Sequence, residues 1–157
     1  MKYRILTNEE LQHLEEDLKQ FLIVNGIHAE EWATMNQETP EKAVQLVEVF
    51  SDTVLQKVYE KLNFLEFRSP DSCMLFHLLP EKIELISLQS TDKNCDLSSV
   101  ESIHDALKNH LKSIQFFKSE KPYHSTKEIA IHELIESGCV VSSSEFWNVL
   151  KHVLDVK

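Results

Sequence analysis

Glycine is almost absent from this chain: Gly26 and Gly138 are the only two in 157 residues. That scarcity excludes a class of chemistry. A phosphate-cradling loop needs several residues without a Cβ, so that backbone N–H groups can close on the phosphate. Neither G-x-x-x-x-G-K-[ST] nor G-x-G-x-x-G can be written from two isolated glycines. The G-x-S-x-G elbow of serine hydrolases is missing for the same reason. Arginine is equally scarce. Arg4 and Arg68 are the only two, too few for a cluster of planar guanidinium forks that would read phosphates. Bases are outnumbered overall, 16 against 26 acids, for a formal net charge of −10. A field of that sign repels phosphate, so neither nucleic acid nor an anionic membrane is expected as a partner.

Paired cysteines are lacking too. Cys73, Cys95 and Cys139 are odd in number and form no C-x-x-C. The start, MKYRILTNEEL, has no apolar stretch of the signal-peptide kind. Reduced thiols in a cytoplasm are the expectation. Long apolar runs are absent: FLIV (Phe21 to Val24) is far short of the ~18 residues that suggest a membrane span. What is present is an ordinary globular balance, 42% apolar and 27% charged. A chain of this length fits one domain, residues 1–157, and buries roughly 68–70% of its unfolded surface. It requires no disulfide or structural metal, and no cofactor is expected.

The periodicity predicts an α+β fold. Thr7 and Glu10 form a capping-box pattern that opens a helix carrying Leu11, Leu14, Leu18, Phe21 and Leu22, stopped by Asn25-Gly26. A short helical turn from Ala29 to Met35 is anchored by Trp32. Thr39-Pro40 starts a long helix to about Leu62, apolar around most of its circumference. The period then changes to that of strands. NFLEFR, CMLFHLL and IELISLQ are separated by turns containing Pro70 and Pro80, which predicts a three-stranded antiparallel meander. Ser98 or Ser99 caps a helix reaching about His110, and Ser113 to Ser119 reads as a fourth strand. A helix from about Ser125 to Ser137 ends at Gly138. Ser142 with Glu145 opens a last helix. The expected architecture is a small antiparallel sheet packed against four to five helices.

MKYRILTNEEL, FLIVNGIHAEEW, FSDTVLQKVYEKLNFLEFRSP and EKPY resemble a small bacterial family, of Bacteroidetes type, of acidic single-domain proteins with no assigned function. The resemblance covers nearly the whole chain. It implies one domain in a bacterial cytoplasm and brings no activity, cofactor or site residue.

Four features carry chemistry. In HSTKEIAIHELIES, Glu128, His132 and Glu136 fall four apart on one helical stripe, a pattern that suits a metal half-site or a general base. His132 lies roughly 70–100° around the helix from the apolar line of Ile131, Leu134 and Ile135. One helix supplies too few ligands by itself, and His104, in Glu101-Ser-Ile-His104, is a candidate to complete the set. A solvated flank is the simpler reading of the stripe. Next, Lys121, His124, Ser125, Thr126 and Lys127, with Lys118, surround a helix start whose N–H groups suit a small anion; capping by Ser125 or Thr126 is the simpler reading. Cys73 and His77 share a strand face, more in keeping with a half-buried histidine than with a nucleophilic pair. Finally, Trp147, Leu150 and Leu154 anchor a last helix that is apolar over about two thirds of its circumference. It belongs either to the core or to a dimer patch.

The leading expectation is a non-enzymatic cytoplasmic module that binds another protein or itself. The alternatives are a metal- or acid/base-dependent enzyme using Glu128 and His132, and an anion binder at the Ser125 helix start.

Overall fold

A computed structural model describes Met1 to Val156 and divides the chain into two compact units, one ending at Val58 and the other starting at Tyr59. The first unit holds α1 (Asn8–His13), α2 (Glu15–Val24) and α3 (Ala29–Glu38), followed by α4 (Pro40–Glu60), whose last two residues belong to the second unit. The Thr7 capping box is formed. Its hydroxyl accepts from Glu10 N at 3.2 Å, while the Glu10 carboxylate accepts from Thr7 N at 2.9 Å. Arg4 donates to both Glu10 oxygens, at 2.8 and 3.0 Å. Those Arg4 hydrogen bonds, followed by the one from the Thr7 backbone, pull the Glu10 pKa down to about 2.

The single helix expected from Thr7 to Asn25 is interrupted at Leu14, which ends α1 and opens α2 (φ −108°, ψ 22°). Its N–H is shared between the carbonyls of Glu10 and Leu11, at 3.1 and 3.2 Å, the tightened last turn in which helices often end. Apolar periodicity runs straight through such a break and cannot reveal it.

The segment from Tyr3 to Leu6 is tied to α4 through backbone groups. Asp52 accepts from Lys2 N and Tyr3 N at 2.7 and 2.9 Å. Ser51 Oγ accepts from Leu6 N at 3.0 Å and donates to Val47 O at 2.7 Å. Tyr3 and Leu6 are buried with Leu22, Ala43, Phe50 and Leu55.

The second unit is built on a five-stranded antiparallel sheet in the order β4-β3-β2-β1-β5. Its strands are β1 (Phe64–Arg68), β2 (Ser72–Leu78), β3 (Lys82–Ser90), β4 (Ile114–Pro122) and β5 (Val140–Val141). The proline-bearing turns deliver the predicted meander. β4 runs three residues beyond the expected Ser119, and the two-residue β5 was not predicted, being too short to show a period. It pairs with Leu65 and Glu66 of β1. Both glycines close helices in the same way. Gly26 follows α2 and Gly138 follows α6 (Lys127–Glu136), with φ of +79° and +109°. The next residue in each case, Ile27 or Cys139, donates to a carbonyl five residues back, at 2.8 and 3.0 Å.

Register fixes the two faces of the sheet. Phe64, Glu66 and Arg68 stand opposite His77, Leu75 and Cys73, and the last two oppose Ile86 and Leu88. This face carries α5 (Val100–Asn109) and α7 (Ser144–Val156). Cys73, Leu75, Ile86 and Leu88 form one buried cluster with Ile103, Ala106, Trp147 and Leu150. Ser143, rather than Ser142, caps α7 and accepts from Phe146 N at 3.2 Å; Ser142 N–H is drawn instead to Phe64 O at 3.0 Å. Of the two readings of the Trp147, Leu150 and Leu154 stripe, its burial fits the core. Trp147 and Leu150 are buried and Leu154 packs beside them, so this stripe faces the sheet. No helix among the described residues is long and apolar enough to cross a membrane.

Candidate ligand-binding site

Alternation along FLEFR puts Glu66 and Arg68 two residues apart on the face of β1 that carries α5 and α7. A charged pair on that face is unexpected, since the neighbouring positions of β2 and β3 are fully apolar. The two side chains keep only 9% and 20% of their exposure, and Glu66 Oε2 contacts Arg68 Nε as an ion pair. Taking two charges out of water costs several kcal/mol per ion, recovered only where the pair is well placed. No third protein group among the described residues hydrogen-bonds either one. Arg68 is instead held by an aromatic face, its guanidinium carbon 4.9 Å from the Phe146 ring centroid.

The pair forms the polar floor of a cavity of about 260 Å³ between α5, α7 and β1. Val100, Ile103, Leu107, Phe146 and Val149 make the apolar wall, and His104, Ser143 and Glu145 are its remaining polar positions. On the β5 side, a second cavity of about 330 Å³ also reaches Glu66 and Arg68, with Ser98, Gly138 and Val140. A mostly apolar hollow with a few convergent polar groups is the usual form of a small-molecule site. Cys73, across the strand from Arg68, supplies no nucleophile. It is fully buried, and burial pushes its thiol up to about 12.

Four of the five residues proposed for anion binding do come together. Lys121, His124, Ser125 and Thr126 line a cavity of about 230 Å³ against the opposite sheet face, with Phe76, Ile83, Tyr123 and Glu133. Lys127 does not join them; its Nζ donates to Asn63 Oδ1 at 3.0 Å. The Thr126 hydroxyl caps α6, accepting from Ile129 N at 3.2 Å. The Tyr123 hydroxyl donates to Leu79 O at 2.5 Å, and burial, reinforced by Glu128, pushes its pKa up to about 12. Glu133 in the same lining opposes an anion.

The Glu128, His132, Glu136 stripe is resolved differently. Glu128 and His132 are half-buried, Glu136 is exposed, and His132 Nδ1 lies 3.0 Å from the Tyr59 hydroxyl. His104 cannot complete the set, because α5 packs on the other face of the sheet. Among the described residues no group of three or more His, Cys, Asp or Glu is placed to hold a metal ion. His77 stacks on Phe64 (centroids 4.4 Å, 13° between planes) and lies 3.5 Å from Glu84. Burial lowers its pKa, with Glu84 acting in the opposite sense.

A model described as a family of unknown function (DUF6495) matches residues 1–155. The chain belongs to this family. No curated protein and no solved structure matches it. DUF6495 membership therefore agrees with the resemblance in extent and in assigning no activity, and the site rests on its geometry alone. The Glu66–Arg68 pair was missed in the sequence because charges in a short strand are normally assigned to the solvent side. The available signal was one of only two arginines, two positions from a glutamate and flanked by phenylalanines.

Proposed function

We propose that the second unit is a binding domain for a small zwitterion, an aliphatic α-amino acid being the simplest that fits. The observation behind this reading is the Glu66–Arg68 pair on the floor of an apolar-walled cavity of about 260 Å³. The pair is neutral as a whole, so a ligand bearing a single net charge would leave one partner overcompensated. A molecule that carries a carboxylate and an ammonium satisfies both. Its carboxylate meets the terminal nitrogens of Arg68, which are the bidentate edge of the guanidinium. Its ammonium meets the Glu66 oxygen that does not contact Arg68 Nε. Its side chain lies along Ile103, Leu107 and Val149. The compartment is taken as a reducing cytoplasm, a reading supported by three cysteines that are buried and unpaired, and the bacterial origin rests on the resemblance alone.

The test is an NMR titration with L-leucine and L-valine up to about 10 mM, where a single weak site is still detectable. Isobutyrate and isobutylamine, each lacking one of the two charges, serve as controls. Saturable shifts at Ile103, Phe146 and Val149 are expected with the amino acids, at least tenfold weaker with the controls and lost in Arg68→Met. Absence of binding by every aliphatic amino acid, or unchanged binding in Arg68→Met, would overturn the reading.

A further inference from the structure

β4 is the outer strand of the sheet, and its register with β3 continues without a bulge from Ile114 to Pro122. The stretch from Phe117 to Lys121 lies along this outer edge, of a kind that sheets normally blunt with bulges, proline or like charges. Pro122 closes only its end. The charges along it are of mixed sign, Lys118, Glu120 and Lys121, and Phe117 is 59% exposed.

We propose that β4 pairs antiparallel with β4 of a second copy, about a two-fold axis at Ser119, making one sheet continuous across both chains. Charge selects the register. Centred on Ser119, Lys118 of each copy stands opposite Glu120 of the other, giving two opposite-charge cross-strand pairs. Centred on Lys118 or on Glu120, that residue would face itself. A half-residue shift would set Lys118 against Ser119 and lose both pairs. Phe117 falls opposite Lys121, whose methylene stem covers the ring. Within one chain Glu120 stands opposite Glu84 and is held by Lys82 at 2.8 Å. Lys118 of the same chain lies two positions from Glu120 on that face and also acts on it, and Lys118 of the second copy adds a cation directly opposite. The interface is a short strand pairing, from Phe117 to Lys121, and belongs to the weak end of specific association.

Sedimentation equilibrium of the full chain at low salt tests this, from roughly 5 µM to 1 mM, the range in which weak dimers titrate. The mass should rise from 18.3 kDa towards twice that value. Lys118→Glu and Glu120→Lys should each weaken association at least tenfold, and the double swap should recover it to within about threefold. Both positions are exposed, so circular dichroism should be unchanged in every variant. A chain monomeric at 1 mM, or single swaps that associate as the native chain does, would overturn the proposal. A double swap as weak as the singles would overturn the register.

Discussion

Removing Arg68 should damage the second unit far more than removing Arg68 and Glu66 together. The asymmetry follows from burial. Arg68→Met leaves the Glu66 carboxylate with 9% of its exposure and no other partner, a situation that costs about 3–5 kcal/mol. Glu66→Leu leaves the guanidinium with 20% of its exposure and with the Phe146 ring beneath it, so about 1–3 kcal/mol is expected. The double variant removes both charges and fills the floor with apolar groups of similar volume. It should lie within about 1 kcal/mol of the native chain, a coupling of at least ~3 kcal/mol between the two sites. Urea unfolding followed by Trp147 fluorescence in a Trp32→Phe background reports on this unit, since Trp147 is buried in the core cluster of the second unit. Additive singles, each costing less than about 1 kcal/mol, would refute the reasoning: they would mean that the pair is solvated like a surface ion pair.

Further outcomes follow from other groups. His77 has its pKa lowered by burial from 6.5, so between the lowered value and 6.5 the unfolded chain binds the extra proton. Its contribution is complete above pH 6.5 and lost as the pH falls, and the advantage of His77→Phe in thermal unfolding should grow from pH 7 to 5. Glu10 has the depressed carboxylate pattern: its contribution is present above its ordinary 4.5 and lost as the pH falls towards about 2. Glu10→Gln should flatten that acid limb when unfolding is read by Trp32. Thr7→Ala should cost about 1 kcal/mol through the lost cap. Cys73 is sealed, with its thiol raised to about 12; its alkylation by iodoacetamide should wait on unfolding, and modification within minutes in native buffer would contradict the burial.

The fold was largely legible because its signals are local. The Thr7 box, the proline turns and Gly138 each act within a few residues, and the structure honours all of them. What escaped was long-range or too short. β5 is two valines whose strand character exists only against Leu65 and Glu66. Ser142 resembled a cap because Glu145 stood three residues on, yet its N–H is claimed by Phe64 O, 78 residues earlier in sequence. The same limit governed the sites. The residues around the α6 start could be grouped from sequence because they are neighbours, and four of the five share a cavity. Glu66 and Arg68 matter only because α5 and α7 cover their face of β1, which no local pattern announces. The apolar stripe of α7 was visible, but whether it would meet a sheet or a partner was not.

The clasp between the first residues and α4 sets an order on synthesis. Tyr3 N bonds Asp52 and Leu6 N bonds Ser51, 49 and 45 residues further on. At 5–20 residues per second, about 2–10 s pass between making the two halves of the clasp. In that interval α1 and α2 can form by themselves, through the Thr7 box and the Gly26 stop, while the segment before them stays undocked. Tyr3 and Leu6, made before α1 and α2, therefore find their place after them. A ribosome pausing before residue 51 would hold Tyr3 and Leu6 in solvent, where a chaperone or a protease could still reach them.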